Sequence, residues 1–182
     1  GEWAKKNLKG NEIRGKTIGI IGFGNVGKRF AKMCNLLGLN ILIYSKSFEN
    51  IKKDYPNYTS SNLNNILEKS DIISFHCSPT SDGSPLITSK EISKMKNSVL
   101  IINTARGNLV SESDLYEALK NNKIKGAALD VFETEPANQN ILFGLENVIL
   151  TPHIAASTSE SQIIVAEMVA NQFVDYFLKN KI

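Results

Sequence analysis

Short apolar runs alternate with longer stretches of helical spacing from one end of the chain to the other. The first run, Thr17-Ile18-Gly19-Ile20-Ile21, reads as a strand. Apolar residues then recur at Val26, Phe30, Met33, Cys34 and Leu37, a helical face, with Gly38 as the helix stop. Asn40-Ile41-Leu42-Ile43-Tyr44 is a second strand, apolar throughout as expected when both faces are covered. A short strand near Tyr58 and a helix over Leu63–Lys69 follow, then strands over 71–76, 98–103, 124–131 and 148–150. Thr88-Ser89-Lys90-Glu91 is a capping box that opens a helix to about Met95. Ser111-Glu112-Ser113-Asp114 caps another, to about Asn121. Ser157-Thr158-Ser159-Glu160 is expected to cap the last helix, with Ile163, Ala166, Val169, Ala170, Phe173 and Phe177 in helical spacing. Residues 1–16 are polar and read as a lead-in helix and loop, with Trp3 and Leu8 as isolated anchors. Sustained strand–helix alternation predicts an α/β fold: a doubly wound, mainly parallel sheet of about seven strands with helices on both faces.

Composition narrows this little. The chain has 182 residues, 42% apolar and 21% charged, which suits one globular domain over 1–182 with its own core. A net charge of +3 gives no reason to expect nucleic acid or a membrane as partner. No apolar run approaches the roughly 20 residues that span a bilayer, and no signal-peptide pattern opens the chain. Cys34 and Cys77 form no disulfide framework and read as core thiols of a cytoplasmic protein. No metal site is expected.

The first strand and helix are joined by Gly22-Phe23-Gly24-Asn25-Val26-Gly27, a G-x-G-x-x-G spacing. Gly22 permits the tight turn, Gly24 leaves the backbone open to a pyrophosphate, and Gly27 lets helix and strand pack closely. The helix N-terminus adds free N–H groups and partial positive charge. A strand before the glycines and a helix after them are the context that makes this spacing a dinucleotide site.

In an open parallel sheet the ligand lies beyond the carboxyl ends of the strands. Three strand ends carry candidate chemistry: Asn103-Thr104-Ala105-Arg106-Gly107, Asp130-Val131-Phe132-Glu133-Thr134-Glu135-Pro136, and Thr151-Pro152-His153-Ile154-Ala155-Ala156-Ser157. Reduction of a keto acid needs an anchor for its carboxylate and a proton donor at its oxygen. A guanidinium supplies a bidentate grip. A histidine donates near neutral pH, and a carboxylate beside it favours its charged form.

These stretches resemble the D-isomer-specific 2-hydroxyacid dehydrogenases, and the resemblance covers nearly the whole chain as that family's coenzyme-binding domain. It is carried by Met95 through Gly107, by Gly126 through Phe132 with Glu135-Pro136, and by Thr151-Pro152-His153-Ile154. The resemblance implies that Arg106 binds substrate, that His153 is the acid/base, and that Glu135, not Glu133, is its partner. It implies a nicotinamide contact from Asp130. The expected cofactor contacts are Gly22, Gly24, Asn25, Val26, Gly27, Ser45, Lys46, Thr104, Ala105, Asp130, His153 and Ala155. The continuation Ala155-Ala156-Ser157-Thr158 is most similar to phosphoglycerate dehydrogenases. Glyoxylate and hydroxypyruvate reductases stand close, and so do dinucleotide-sensing corepressors of the same family. His76 matches a strand-end histidine of the family and reads as structural or near the cofactor.

Two departures carry expectations. NAD-preferring members of the family usually have an aspartate where Ser45 stands. Ser45 removes repulsion of a 2′-phosphate and Lys46 can pair with one, so of NAD and NADP the pair favours NADP. Family members also carry a second, substrate-binding domain, which is expected to be absent from this chain. The chain alone should therefore bind dinucleotide and turn over poorly. A homodimer through the coenzyme domain is the expected assembly.

Overall fold

A computed structural model describes residues 1, 3 and 9–179. Seven strands form a single sheet: β1 (Thr17–Ile21), β2 (Asn40–Tyr44), β3 (Tyr58–Ser60), β4 (Ile72–Phe75), β5 (Leu100–Asn103), β6 (Gly126–Leu129) and β7 (Val148–Leu150). Every pairing is parallel, in the order β3-β2-β1-β4-β5-β6-β7. The strand order reverses between β1 and β4, and a crevice opens at such a point. Among the described residues there are six α-helices, in chain order: α1 (Asn25–Leu36), α2 (Phe48–Ile51), α3 (Leu63–Lys69), α4 (Ser89–Ile92), α5 (Glu112–Lys120) and α6 (Ser159–Lys179).

Two apolar clusters cover the sheet. Ile18, Ile20, Ile41 and Ile43 pack with Phe23, Ala31, Cys34 and Phe48 in one. Ile21, Ile73, Phe75 and Ile101 pack with Ile66, Leu67, Leu115 and Leu119 in the other. Neighbours on a strand point to opposite faces, so Ile20 and Ile21 fall in different clusters. A side chain at Gly19 would strike Ile66 and Ser70, so that glycine sets how closely α3 lies on β1.

The pairing register aligns six strand ends. Tyr44, Ile21, Phe75, Asn103, Leu129 and Leu150 are successive partners across the sheet. The residues that follow them, Ser45, Gly22, His76, Thr104, Asp130 and Thr151, therefore leave the sheet side by side along one edge.

Several local expectations need correction. The helix after Gly24 is present and stops at Gly38 (φ +79°). Its sheet-facing residues, however, are Gly27, Ala31 and Cys34, whereas Val26, Met33 and Leu37 are exposed. Close approach to β1 selects small side chains for that face: a Cβ at Gly27 would overlap the Gly22 carbonyl. The last helix is capped one residue later than the expected box. The Thr158 hydroxyl accepts from the Ser161 N–H at 3.1 Å and donates to the Ser161 Oγ at 2.9 Å. Its apolar residues Ile163, Val169, Phe173 and Phe177 are exposed rather than buried. Helix α4 ends at Ile92, short of Met95. The lead-in helix and Leu8 fall largely outside the described residues. Trp3 is exposed, and residues 9–13 are irregular.

Candidate active site

The glycine turn is built as the spacing requires. Gly22 adopts φ +97°, and a Cβ there would lie 2.5 Å from the His76 carbonyl oxygen. The Gly22 N–H donates to the Tyr44 carbonyl at 2.9 Å, which ties the turn to the end of β2. Ser45 and Lys46 follow directly, and the Ser45 and Ser47 hydroxyls lie 3.3 Å apart. Gly24 is the N-cap of α1 and has no side chain to cap it, and a Cβ there would meet nothing within 4 Å. The first-turn N–H groups of Asn25, Val26 and Gly27 are thus open to an anion. An open Gly24 above an uncapped helix end fits a dinucleotide pyrophosphate.

Beyond β5, buried Asn103 shapes the arginine connection. Its Nδ2 donates to the Arg106 carbonyl at 2.9 Å, and its Oδ1 accepts from the Ala105 N–H at 3.1 Å. The Arg106 side chain is exposed, with Nη1 donating to the Ala105 carbonyl at 2.6 Å. A cavity of about 390 Å³ runs between Val26 at the glycine turn and Arg106, lined also by His76, Cys77, Thr104 and Ala105. His76 Nε2 lies 3.0 Å from the Ser74 hydroxyl, and its ring packs on Phe30 at 4.9 Å. Burial pushes this ring down to about 4, so it is neutral near pH 7.

Asp130 is 3% exposed and organises the histidine connection. Its Oδ1 accepts from the Thr151 hydroxyl at 2.5 Å and the Ile154 N–H at 2.8 Å, and its Oδ2 accepts from the Ala155 N–H at 2.8 Å. These three bonds leave one acceptor position on Oδ2. Burial pushes the carboxyl upward. The Thr151 hydroxyl, the two N–H groups and the nearby His153 ring outweigh that and hold it below the usual carboxylate range. The bonds bracket His153, whose φ is +54°, a conformation a side chain rarely adopts. His153 Nδ1 lies 2.7 Å from Glu135 Oε2. Glu135 Oε1 accepts from the Phe132 N–H at 3.0 Å. The contact to His153 first, and the Phe132 N–H second, hold the Glu135 carboxyl below its ordinary value. Glu133 points elsewhere, with Oε1 accepting from the Glu112 N–H at 2.8 Å.

Arg106, Glu135 and His153 line one cavity of about 290 Å³, together with Gly107, Asn108, Val131, Phe132 and Glu133. A larger, mainly apolar hollow of about 580 Å³ adjoins His153, walled by Phe132, Pro136, Phe143, Leu150 and Pro152. Arg106 borders both the cavity that reaches the glycine turn and the one that holds the acid–imidazole pair. The expected site residues thus share the sheet's carboxyl edge, with Ser45 and Lys46 at its far end beside the glycine turn. Sequence reasoning gave no role to Asn103 or Thr151. A polar residue ending an otherwise apolar strand was the available signal for the first.

Residues 1–155 match the family described as D-isomer specific 2-hydroxyacid dehydrogenase, NAD binding domain. A D-3-phosphoglycerate dehydrogenase of Archaeoglobus fulgidus is 41% identical over 176 residues, covering 96% of this chain and 33% of that protein. A glyoxylate reductase from Paecilomyes thermophila superposes with a TM-score of 0.88 at 31% identity, over 99% of this chain and 55% of that one. An acyclic imino acid reductase solved with NADPH and D-Arg gives 0.84 at 34% identity, over 96% of this chain and 57% of its own. The chain therefore spans between a third and just over half of the length of these relatives.

Proposed function

Because this chain belongs to the D-isomer-specific 2-hydroxyacid dehydrogenase family, we propose that it is the dinucleotide-binding domain of an enzyme interconverting a D-2-hydroxy acid and its 2-keto acid. The substrate class that fits best is that of phosphoglycerate dehydrogenases, with glyoxylate or hydroxypyruvate reduction as the alternative. One observation carries the reading: Arg106, Glu135 and His153 line a single cavity that meets the cofactor crevice at Arg106.

Gly22, Gly24, Asn25, Val26 and Gly27 hold the pyrophosphate, and Ser45 and Lys46 face the adenosine ribose. Thr104, Ala105, Asp130, His153 and Ala155 surround the nicotinamide end, where the remaining acceptor on Asp130 Oδ2 suits a carboxamide N–H. A bound NAD(P)H supplies the hydride. Arg106 grips the substrate carboxylate through its fork. His153 donates a proton from Nε2 to the keto oxygen, and Glu135 holds the ring through Nδ1 and stabilises the imidazolium. Neutral His76 supplies no such proton near pH 7. Lys46, with no acid at Ser45, supports NADP use beside NAD. That this chain spans only a third to just over half of its relatives supports a second domain that completes the substrate cleft. The exposed apolar residues of α6 support pairing of two copies.

The test is turnover of the full-length protein with phosphohydroxypyruvate, hydroxypyruvate and glyoxylate, each with NADH and NADPH. Reduction of at least one of them, abolished by His153→Ala with cofactor affinity retained, is the expected result. Cofactor binding with no turnover of any 2-keto acid would leave a dinucleotide-binding protein without this chemistry.

A further inference from the structure

Two acids that the chemistry leaves unused face each other between the arginine connection and the acid connection. Glu112 opens α5, just after the short 3-10 turn Gly107–Leu109 that follows Arg106. Glu133 lies two residues before Glu135. The Glu112 N–H donates to Glu133 Oε1 at 2.8 Å, and the Glu133 N–H donates to Glu112 Oε1 at 2.7 Å. Asn140 Nδ2 donates to Glu112 Oε2 at 2.7 Å, so both oxygens of Glu112 are engaged. Nearby, the two backbones touch: a Cβ at Gly107 would overlap the Phe132 carbonyl and lie 2.5 Å from the Glu133 nitrogen. Each carboxylate satisfies the other segment's N–H, and the α5 N-terminus offsets their charge.

We propose that Glu112 and Glu133 are positioning residues, a reciprocal clamp that fixes the distance from Arg106 to the Glu135–His153 pair. This rests on the hydride-transfer reading of the site, since that distance must match the span from a substrate's carboxylate to its keto oxygen. A displacement of about 1 Å at such a site can cost about a hundredfold in rate. The clamp needs acceptors at particular oxygens rather than charge as such. Glu133→Gln keeps the one oxygen that Glu133 uses, Glu112→Gln loses the Asn140 contact, and Glu112→Ala loses both contacts of the Glu112 carboxylate while its backbone N–H still reaches Glu133.

The experiment measures the full-length protein in two ways: kcat and KM for keto-acid reduction across pH, and the ring ¹⁵N signals of His153. Glu112→Ala should lower kcat at least tenfold, move the alkaline limb of kcat to lower pH and shift the His153 ring signals. NADH affinity should stay within about twofold, since α1 and the glycine turn are untouched. Glu133→Gln, which retains the oxygen that accepts from the Glu112 N–H, should lower kcat less than Glu133→Ala does. Glu112→Ala and Glu133→Ala together should cost less than the sum of the two, because each breaks the same clamp. A lowered melting temperature with unchanged kcat per folded molecule, an unmoved pH limb and unshifted ring signals would overturn the proposal and leave the pair merely structural. If Glu112→Ala fails to fold, Glu133→Ala is read by the same criteria. Absent turnover in the wild type defeats the hydride-transfer reading, whereas unshifted ring signals defeat the clamp.

Discussion

Asp130→Asn isolates the element that holds His153 in place. The wild-type carboxylate accepts from the Thr151 hydroxyl, the Ile154 N–H and the Ala155 N–H. An asparagine Oδ1 can take over the first two, but its Nδ2 then points at the Ala155 N–H, donor against donor. One hydrogen bond to a charged acceptor is lost and two become bonds to a neutral one. Bonds to charged groups are worth about 1.5–3 kcal/mol each and neutral ones about 0.5–1.5, so the expected loss, three of the first kind replaced by two of the second, is about 3.5–6 kcal/mol. With an m value of about 2 kcal/mol per molar urea, the unfolding midpoint of this chain should fall by about 2–3 M. The pH dependence gives an independent check. The Asp130 carboxyl titrates below its ordinary value in the folded protein. Its contribution is therefore complete above the unfolded carboxylate pKa of about 3.9 and fades as pH falls through the lower folded value. Wild type and Asp130→Asn should differ by a constant amount between about pH 5 and 7, and the difference should narrow below about pH 4. The assay is urea unfolding at a series of pH values. A difference under about 0.5 kcal/mol at pH 7, or one that persists undiminished at the acid end, would refute the account of Asp130 as the charged organiser of this connection.

Gly24→Ala should leave unfolding within about 0.5 kcal/mol of wild type, because nothing lies within 4 Å of the new Cβ. The same change should weaken NADH at least tenfold by calorimetry if the pyrophosphate rests on that backbone. Ser45→Asp should weaken NADPH much more than NADH in fluorescence titrations, since a carboxylate there repels a 2′-phosphate; equal effects would remove Ser45 from the ribose site. Glu135→Gln should move the alkaline limb of keto-acid reduction to lower pH, because a carboxamide favours the imidazolium less than a carboxylate does. An unmoved limb would detach Glu135 from His153. If a second domain completes the substrate cleft as proposed, residues 1–182 alone should bind dinucleotide with turnover at least a hundredfold below that of the two-domain protein.

What the sequence determined by itself is local. The glycine turn, the strand-forming runs and the capping residues Thr88 and Ser111 depend on neighbours within a few positions. Local sterics and hydrogen bonding suffice to specify them. The helix over 25–36 was legible for the same reason, but its buried face was not. Period reveals a helix, while the choice of Gly27 and Ala31 over Val26 and Met33 follows from how near β1 lies. Exposure of α6 likewise could not be read from its apolar spacing. Only the tertiary structure decided the register in which Ile21, Tyr44, Phe75, Asn103, Leu129 and Leu150 end together. Parallel neighbours are joined by long crossovers, so no spacing along the chain encodes which residues stand side by side. That alignment brings Arg106, Glu135 and His153 to one cavity. The Asp130 bonds and the Glu112–Glu133 contacts, each between residues more than twenty positions apart, then hold the three in place.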